Sequence, residues 1–330
     1  VAKIDKAKIE KLLGVSGEQE FQDLSLDDLD SFGDDTSIKD MYSDIAKYRR
    51  MLRERVTFIN DDLTEIVPFT RENLYLMCAY TGSGKSTAAA NISYPLWQQK
   101  KKIMVISNEE SQQDIIFRIA CLHLGYNFND YKKNIMPKVN VTECMAMFKE
   151  IAEYVKVVDV NYKNGITSTV EGVKRILNLV ADADYSCVMI DYYQLIKKST
   201  SNPNMKTYDA LNELRIWFGQ YIKRANLPLV VFAQLHSIGK RNNVDLDNRI
   251  KHCPDIIEPS TVVIEMIPDF ESKTTDFAIK KDRFGMAGKK IKCLFERGRF
   301  VEYDELSAQH HTLEDIDSKL SEEEGSVETK

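Results

Sequence analysis

Nowhere in the 330 residues is there an apolar run of the ~20 residues that a bilayer span needs. The start, Val1-Ala-Lys-Ile-Asp-Lys, also lacks the succession of a secretory signal. It has no initiator Met, as either processing or a longer parent chain would leave it. Cysteine is scarce and scattered, at 78, 121, 144, 187, 253 and 293, with no Cys-x-x-Cys pair. That argues against a disulfide frame or a zinc site and for buried thiols in a reducing compartment. His310 and His311 are adjacent but sit in a polar tail, a poor setting for a metal.

An excess of basic charge is missing too: the formal net charge is −6. The deficit is confined to the ends. Residues 1–37 are net −6 and residues 304–330 net −7, which leaves 38–303 at +7. A mildly basic centre suits a polyanionic partner or a merely solvated surface; charge alone does not separate the two. The acidic ends are expected to be weakly ordered, with a short helical stretch at 4–13 and a disordered tail from Asp304. Between 38 and 56, Ile38, Met41, Ile45, Tyr48 and Leu52 recur at helical spacing. That linker helix must bury its stripe on its own domain or on a neighbouring subunit.

A hydrophobic content of 43% suits one large α/β domain with appendages, or two small domains. From residue 74 apolar runs alternate with amphipathic stretches. The runs are Leu74–Ala79, Ile103–Ser107, Val155–Val160, Val188–Ile196 and Leu227–Leu235. Helical patterns fall near 85–98, 111–124, 142–154, 168–182 and 207–226. This alternation predicts a mostly parallel sheet covered by helices on both faces. After Pro259 the pattern predicts antiparallel strands at Thr261–Ile267, Asp276–Lys281 and Lys290–Tyr303, with a turn at Phe284–Gly288.

The first run leads into Ala79-Tyr80-Thr81-Gly82-Ser83-Gly84-Lys85-Ser86-Thr87. A strand, a Gly-rich turn and a Lys-Ser/Thr pair opening a helix form a phosphate cradle. Its backbone N–H groups point at a β-phosphate, and the helix N-terminus adds partial positive charge. Lys85 reaches the β/γ-phosphates and the Ser86 hydroxyl can sit on Mg²⁺. The expected ligand is therefore a nucleoside triphosphate, with ATP and Mg²⁺ as cofactors. Ala79 stands where the usual pattern has Gly.

Ligands of an open parallel sheet bind at the carboxyl ends of its strands. Asp191 ends Val188-Met-Ile-Asp and could hold Mg²⁺; an Asp there is also a common turn residue. Glu109 and Glu110 follow Ile106-Ser-Asn. A carboxylate there could polarise an attacking water, or Asn-Glu-Glu-Ser could simply cap a helix. Gln234 ends Phe232-Ala-Gln and could sense a γ-phosphate, or be a buried capping residue.

In order and spacing these segments resemble the RecA-type ATPase domain of DnaB-family replicative helicases, phage members included, over roughly 57–303. In that family Ala is common at the first phosphate-loop position. Ile-Ser-Asn-Glu109 resembles its Ser-x-Glu segment, which implies Glu109 as the catalytic glutamate beside Lys85. Ile190-Asp-Tyr-Tyr-Gln-Leu and Ala233-Gln-Leu resemble its Ile-Asp-Tyr-x-Gln-Leu and Ser-Gln-Leu segments. Lys281-Asp-Arg283-Phe-Gly resembles its Lys-x-Arg-x-Gly segment, which implies that Lys281 and Arg283 reach the ATP of an adjacent subunit. The resemblance implies a RecA-like core and a homo-oligomer, a hexameric ring. It implies ATP-driven movement on single-stranded DNA, a primase or loader as further partner, and the cytoplasm, a host's if phage-encoded. The usual Gly-Gly before the first strand is missing, and Lys240-Arg-Asn-Asn replaces an Arg-rich segment.

In RecA-type rings the loops after the Asp191 and Gln234 strands face the channel. Here they offer Lys197, Lys198, Lys206, Lys240 and Arg241 as contacts to DNA phosphates. Two alternatives stay open: a recombinase or other DNA-dependent ATPase that does not unwind, and a non-hydrolysing assembly or regulatory protein of the same fold. A small-molecule kinase is disfavoured because no Arg-rich lid is evident.

Overall fold

The computed structural model describes residues 57–67, 69–129, 141–159, 169–197, 204–236 and 245–303. The helices expected at 4–13 and 38–56, and the acidic ends, lie outside the described residues.

Nine strands form one sheet: β1 (Leu74–Ala79), β2 (Ile103–Ser107), β3 (Val155–Val158), β4 (Cys187–Asp191), β5 (Leu229–Gln234), β6 (Val262–Asp269), β7 (Thr274–Asp282), β8 (Lys290–Glu296) and β9 (Arg299–Glu302). Their order is β3-β2-β4-β5-β1-β6-β7-β8-β9. Pairing is parallel from β3 to β6 and antiparallel from β6 to β9. The α-helices among the described residues are α1 (Asp61–Ile66), α2 (Lys85–Gln98), α3 (Gln112–Leu124), α4 (Val141–Tyr154), α5 (Val170–Ala181) and α6 (Thr207–Ala225). β1 is central and every one of its residues is buried, as expected of a parallel strand covered on both faces.

Alternation along β1 splits the core in two. Tyr75 and Met77 face α2 and α3, packing in one layer with Ile92, Leu96, Ile116 and Ile119. Leu74 and Leu76 face α5 and α6, with Val173, Leu177, Leu214 and Phe218. Truncating a buried leucine such as Leu76 to Ala costs about 2–5 kcal/mol. Ser111 caps α3 by accepting the Asp114 N–H, and Thr169 caps α5 by accepting the Gly172 N–H. Each cap contributes about 1 kcal/mol.

The expected α/β sheet with helices on both faces is present, with local corrections. The run expected at Val188–Ile196 ends as strand at Asp191, and Tyr193–Leu195 form a 3₁₀ turn. The strand expected through 290–303 is a hairpin. Arg297 and Gly298 both have positive φ, 47° and 86°, the geometry of a type I′ turn. Arg-Gly is a weak turn signal, and tertiary contacts hold it. Arg299 donates to the Leu122 carbonyl at 2.6 and 3.0 Å, and Asn91 donates to the Gly298 carbonyl at 2.8 Å. A Cβ on Gly298 would meet Leu122 Cδ2 at 3.2 Å. The short helix α1, capped by Asn60, was not expected; Asn60-Asp-Asp was its available signal. The described cysteines 78, 121, 187, 253 and 293 are buried free thiols, as read from their spacing.

Candidate active site

The phosphate loop leaves the middle of the sheet. Ala79 is the last residue of β1 and is registered against Gln234 of β5, a strand position that accepts a methyl group. Gly82 and Gly84 have φ of 77° and 86°, where a side chain would be strained. The Ser83 N–H donates to the Tyr80 carbonyl at 3.2 Å and closes the turn. Lys85 opens α2. It is buried, donates to the Tyr80 carbonyl at 3.3 Å and lies 5.3 Å over the Tyr192 ring. Burial pulls its pKa below the usual lysine value, while Asp191 and Glu109 push it back up.

Asp191 is fully buried at the end of β4. Burial raises its pKa to about 6, against the opposing influence of the Ser86 hydroxyl. That contact falls short of hydrogen-bonding geometry, and neither carboxylate oxygen has a hydrogen-bond partner. A buried carboxylate with two unpaired oxygens is costly unless a cation completes it. Asp191 and Ser86 thus fit a hydrated Mg²⁺ shared with substrate phosphates. Among the described residues no group of three His, Cys, Asp or Glu side chains forms a protein-only metal cage.

Glu109 and Glu110 differ sharply. Glu110 is gripped by Arg118, with Nε to Oε2 at 2.9 Å and Nη2 to Oε1 at 2.5 Å. Glu109 is exposed, and its charge is felt at Lys85, Asp191 and Tyr192. Two contacts fix the turn that carries them. The Asn108 N–H donates to the Asp191 carbonyl at 2.7 Å, and the Glu110 N–H donates to Ser107 Oγ at 3.0 Å.

Gln234 ends β5, and its Nε2 donates to the Thr81 hydroxyl in the phosphate loop. Around it lie residues that motif reasoning did not single out. Gln194 Nε2 donates to the carbonyls of Gln234 and Lys251 at 3.1 and 3.3 Å. Arg249 donates to the Tyr80 hydroxyl at 3.2 Å and doubly to Glu265, at 2.5 and 2.9 Å. Burial alone would raise the Glu265 pKa, but Arg249 and Lys280 outweigh it and the net direction is down. Gln194 was visible inside the Asp-Tyr-Tyr-Gln segment. Arg249 and Glu265 had no local signal.

The structure brings Lys85, Ser86, Glu109, Asp191 and Gln234 to one edge of the sheet. Lys281 and Arg283 are at the other. β7 runs antiparallel to β6, so Lys281 pairs with Val263, and the Arg283 N–H donates to the Thr261 carbonyl near the start of β1. At ~3.3 Å per residue they lie roughly 15 Å or more from their own phosphate loop. The Lys281 ammonium donates to the Ile257 and Glu258 carbonyls at 2.7 and 3.0 Å; Arg283 is exposed. Lys197, after β4, and Lys206, before α6, are exposed. Lys198, Lys240 and Arg241 lie outside the described residues.

A parallel sheet with this loop at its central strand, and carboxylates on adjacent strand ends, defines a RecA-like P-loop fold. The family model "DnaB-like helicase C terminal domain" matches residues 59–303, and the chain belongs to that family. Among solved structures, the chain is similar to an isolated ATPase domain at 15% identity and TM-score 0.62, covering 82% of this chain and all of that one. A DnaB-like replicative helicase, solved in a study of its interactions with primase, gives 15% identity and TM-score 0.66, with 84% and 70% covered. The KaiC-like protein PH0186 from Pyrococcus horikoshii OT3 gives 15% and 0.52, with 76% and 99% covered. At these identities the likeness is one of fold. No curated protein matches the sequence. No helix among the described residues is long and apolar enough to cross a membrane.

Proposed function

We propose that this chain is an ATP-driven replicative DNA helicase, a ring-forming motor that moves on single-stranded DNA. The observation that carries this reading is the buried, unpaired Asp191 beside Ser86 and Lys85, with a free Glu109 on the neighbouring strand end. Such a set suits hydrolysis better than passive phosphate binding. The phosphate-loop N–H groups and Lys85 hold the triphosphate, and Asp191 and Ser86 hold Mg²⁺. The ion would neutralise charge on the β- and γ-oxygens. Glu109 accepts a proton from the attacking water, and Gln234 reads the terminal phosphate. Arg283, with Lys281, acts on the site of an adjacent subunit in a hexameric ring. Lys197, Lys198, Lys206, Lys240 and Arg241 contact DNA phosphates. The helix at 38–56 docks on the neighbouring subunit, and a primase or loader is the further partner.

The test is Mg²⁺-ATP hydrolysis with and without single-stranded DNA, together with unwinding of forked duplexes carrying either tail. ATPase with unwinding is expected. DNA-stimulated ATPase without unwinding would favour a recombinase-like motor, and no hydrolysis would favour an assembly protein. Replacing the five basic residues with Ala should flatten the salt dependence of DNA binding. The log–log slope should fall by roughly one unit for every phosphate that the protein ceases to neutralise.

A further inference from the structure

Beside the phosphate loop is a cavity of about 290 Å³. One wall is Tyr80, Thr81 and Ser83, and another is the tip of the β6–β7 hairpin, including Ile267 and Phe270. Among the described residues, Lys251 is the sole charged one in its lining, and no carboxylate faces it. A cation, hydroxyls and an apolar rim with no acid beside them suit an anion.

Lys251 is held in place by its backbone. Its N–H donates to the Gln234 carbonyl at 3.1 Å, and its own carbonyl accepts from Gln194 Nε2 at 3.3 Å and from the Cys253 N–H at 2.8 Å. Its ammonium has no hydrogen bond or ion pair among the described residues. The basic neighbours are otherwise engaged: Lys280 and Arg249 with Glu265, Lys281 with two carbonyls. The positive charge of Lys251 is felt at Lys85, whose affinity for a proton it lowers. Two like charges beside one phosphate loop are unfavourable alone and favourable around a polyphosphate.

The end of the triphosphate that faces this cavity follows from the loop. A second, shallow pocket lies on the opposite side, against Thr87, and is lined by Arg118, Tyr126, Phe128 and Phe295. Aromatic and apolar groups there suit the nucleoside. The terminal phosphate then points towards Thr81, Gln234 and the larger cavity.

The geometry points to Lys251 as a second cation on the terminal phosphate, supplied by the same chain from the segment that returns next to Gln234. This rests on the nucleotide reading above. It gives the site a means of telling a triphosphate from a diphosphate without a neighbouring subunit.

The experiment measures the affinity of the full chain for Mg²⁺-AMP-PNP and for Mg²⁺-ADP by calorimetry, in the parent, Lys251→Met and Lys251→Arg. Met keeps the apolar stem and removes the charge. A charge-assisted contact predicts that Lys251→Met weakens AMP-PNP by about tenfold or more. ADP should stay within about twofold, and Lys251→Arg should recover most of the affinity. An unchanged ratio of the two affinities, whether both fall together or neither moves, overturns the proposal. If the parent binds neither nucleotide, the nucleotide reading itself fails.

Discussion

Gln194 grips the backbone of Gln234 from both sides. Its Oε1 accepts the Gln234 N–H at 3.0 Å, and its Nε2 donates to the Gln234 carbonyl at 3.1 Å. Regular pairing of β4 with β5 stops at Ile190 and Val231, so this side chain continues the ladder where the strands part. Gln194→Met keeps the volume but leaves buried backbone groups unpaired. The expected cost is about 1–3 kcal/mol in denaturant unfolding. Since the Gln234 side chain reaches Thr81, ATP turnover should fall as well. A variant as stable and as active as the parent would show that Gln194 merely fills space.

The pairing of Glu110 with Arg118 separates two adjacent carboxylates by role. Glu109→Gln should retain nucleotide binding and lower turnover by about 10²-fold or more, as for a missing general base. Glu110→Gln should cost stability through Arg118 and leave turnover within about tenfold. The assignment is reversed if steady-state phosphate release shows Glu110→Gln to be the dead variant.

Asp191 makes a pH-dependent prediction. Burial raises its pKa from about 3.8 in the unfolded chain to about 6, so its charged form opposes folding above pH 6. Without metal, Asp191→Asn should stabilise the protein at pH 8 by about 3 kcal/mol. The advantage should shrink as pH falls through 6, because the folded parent then takes up the proton. It should be gone below the unfolded value. Mg²⁺ with nucleotide should reverse the order, stabilising the parent and not the variant. Thermal melts from pH 5 to 8 with and without Mg²⁺-ADP check this. A parent that stays more stable than Asp191→Asn at pH 8 without metal would contradict it.

Arg283 and Glu109 lie towards opposite edges of the sheet, so a finger role requires two subunits. Arg283→Ala and Glu109→Gln are each expected to be inactive; trans cations of this kind contribute about 10³-fold or more. Mixing the two should restore partial ATPase, because some interfaces join an intact Glu109 site to an intact Arg283. Co-assembly verified by native mass measurement, with no activity recovered, would rule the finger out. Lys281 should matter less in such mixtures, since its ammonium already caps the Ile257 and Glu258 carbonyls.

The sequence alone determined the parallel core and the site residues that carry local signals. Unbroken apolar runs mark β1, β2 and β5, because a strand buried on both faces has no polar position to spare. Gly82, Gly84 and Lys85 are legible because only glycine takes those backbone angles at no cost and only a helix start presents that lysine to phosphate. Tertiary structure decided the rest. That Glu109 is free depends on Arg118, nine positions on, folding back over Glu110. The Arg249–Tyr80–Glu265 contacts join segments up to 169 positions apart. The β8–β9 turn is held by Asn91 and Leu122, from helices on a distant stretch of chain. Lys251 reads as an ordinary surface lysine until the sheet carries it against the phosphate loop. Local sequence encodes backbone preference and burial. Which polar groups find partners, and which stay unpaired for a ligand, is settled only when distant strand ends meet.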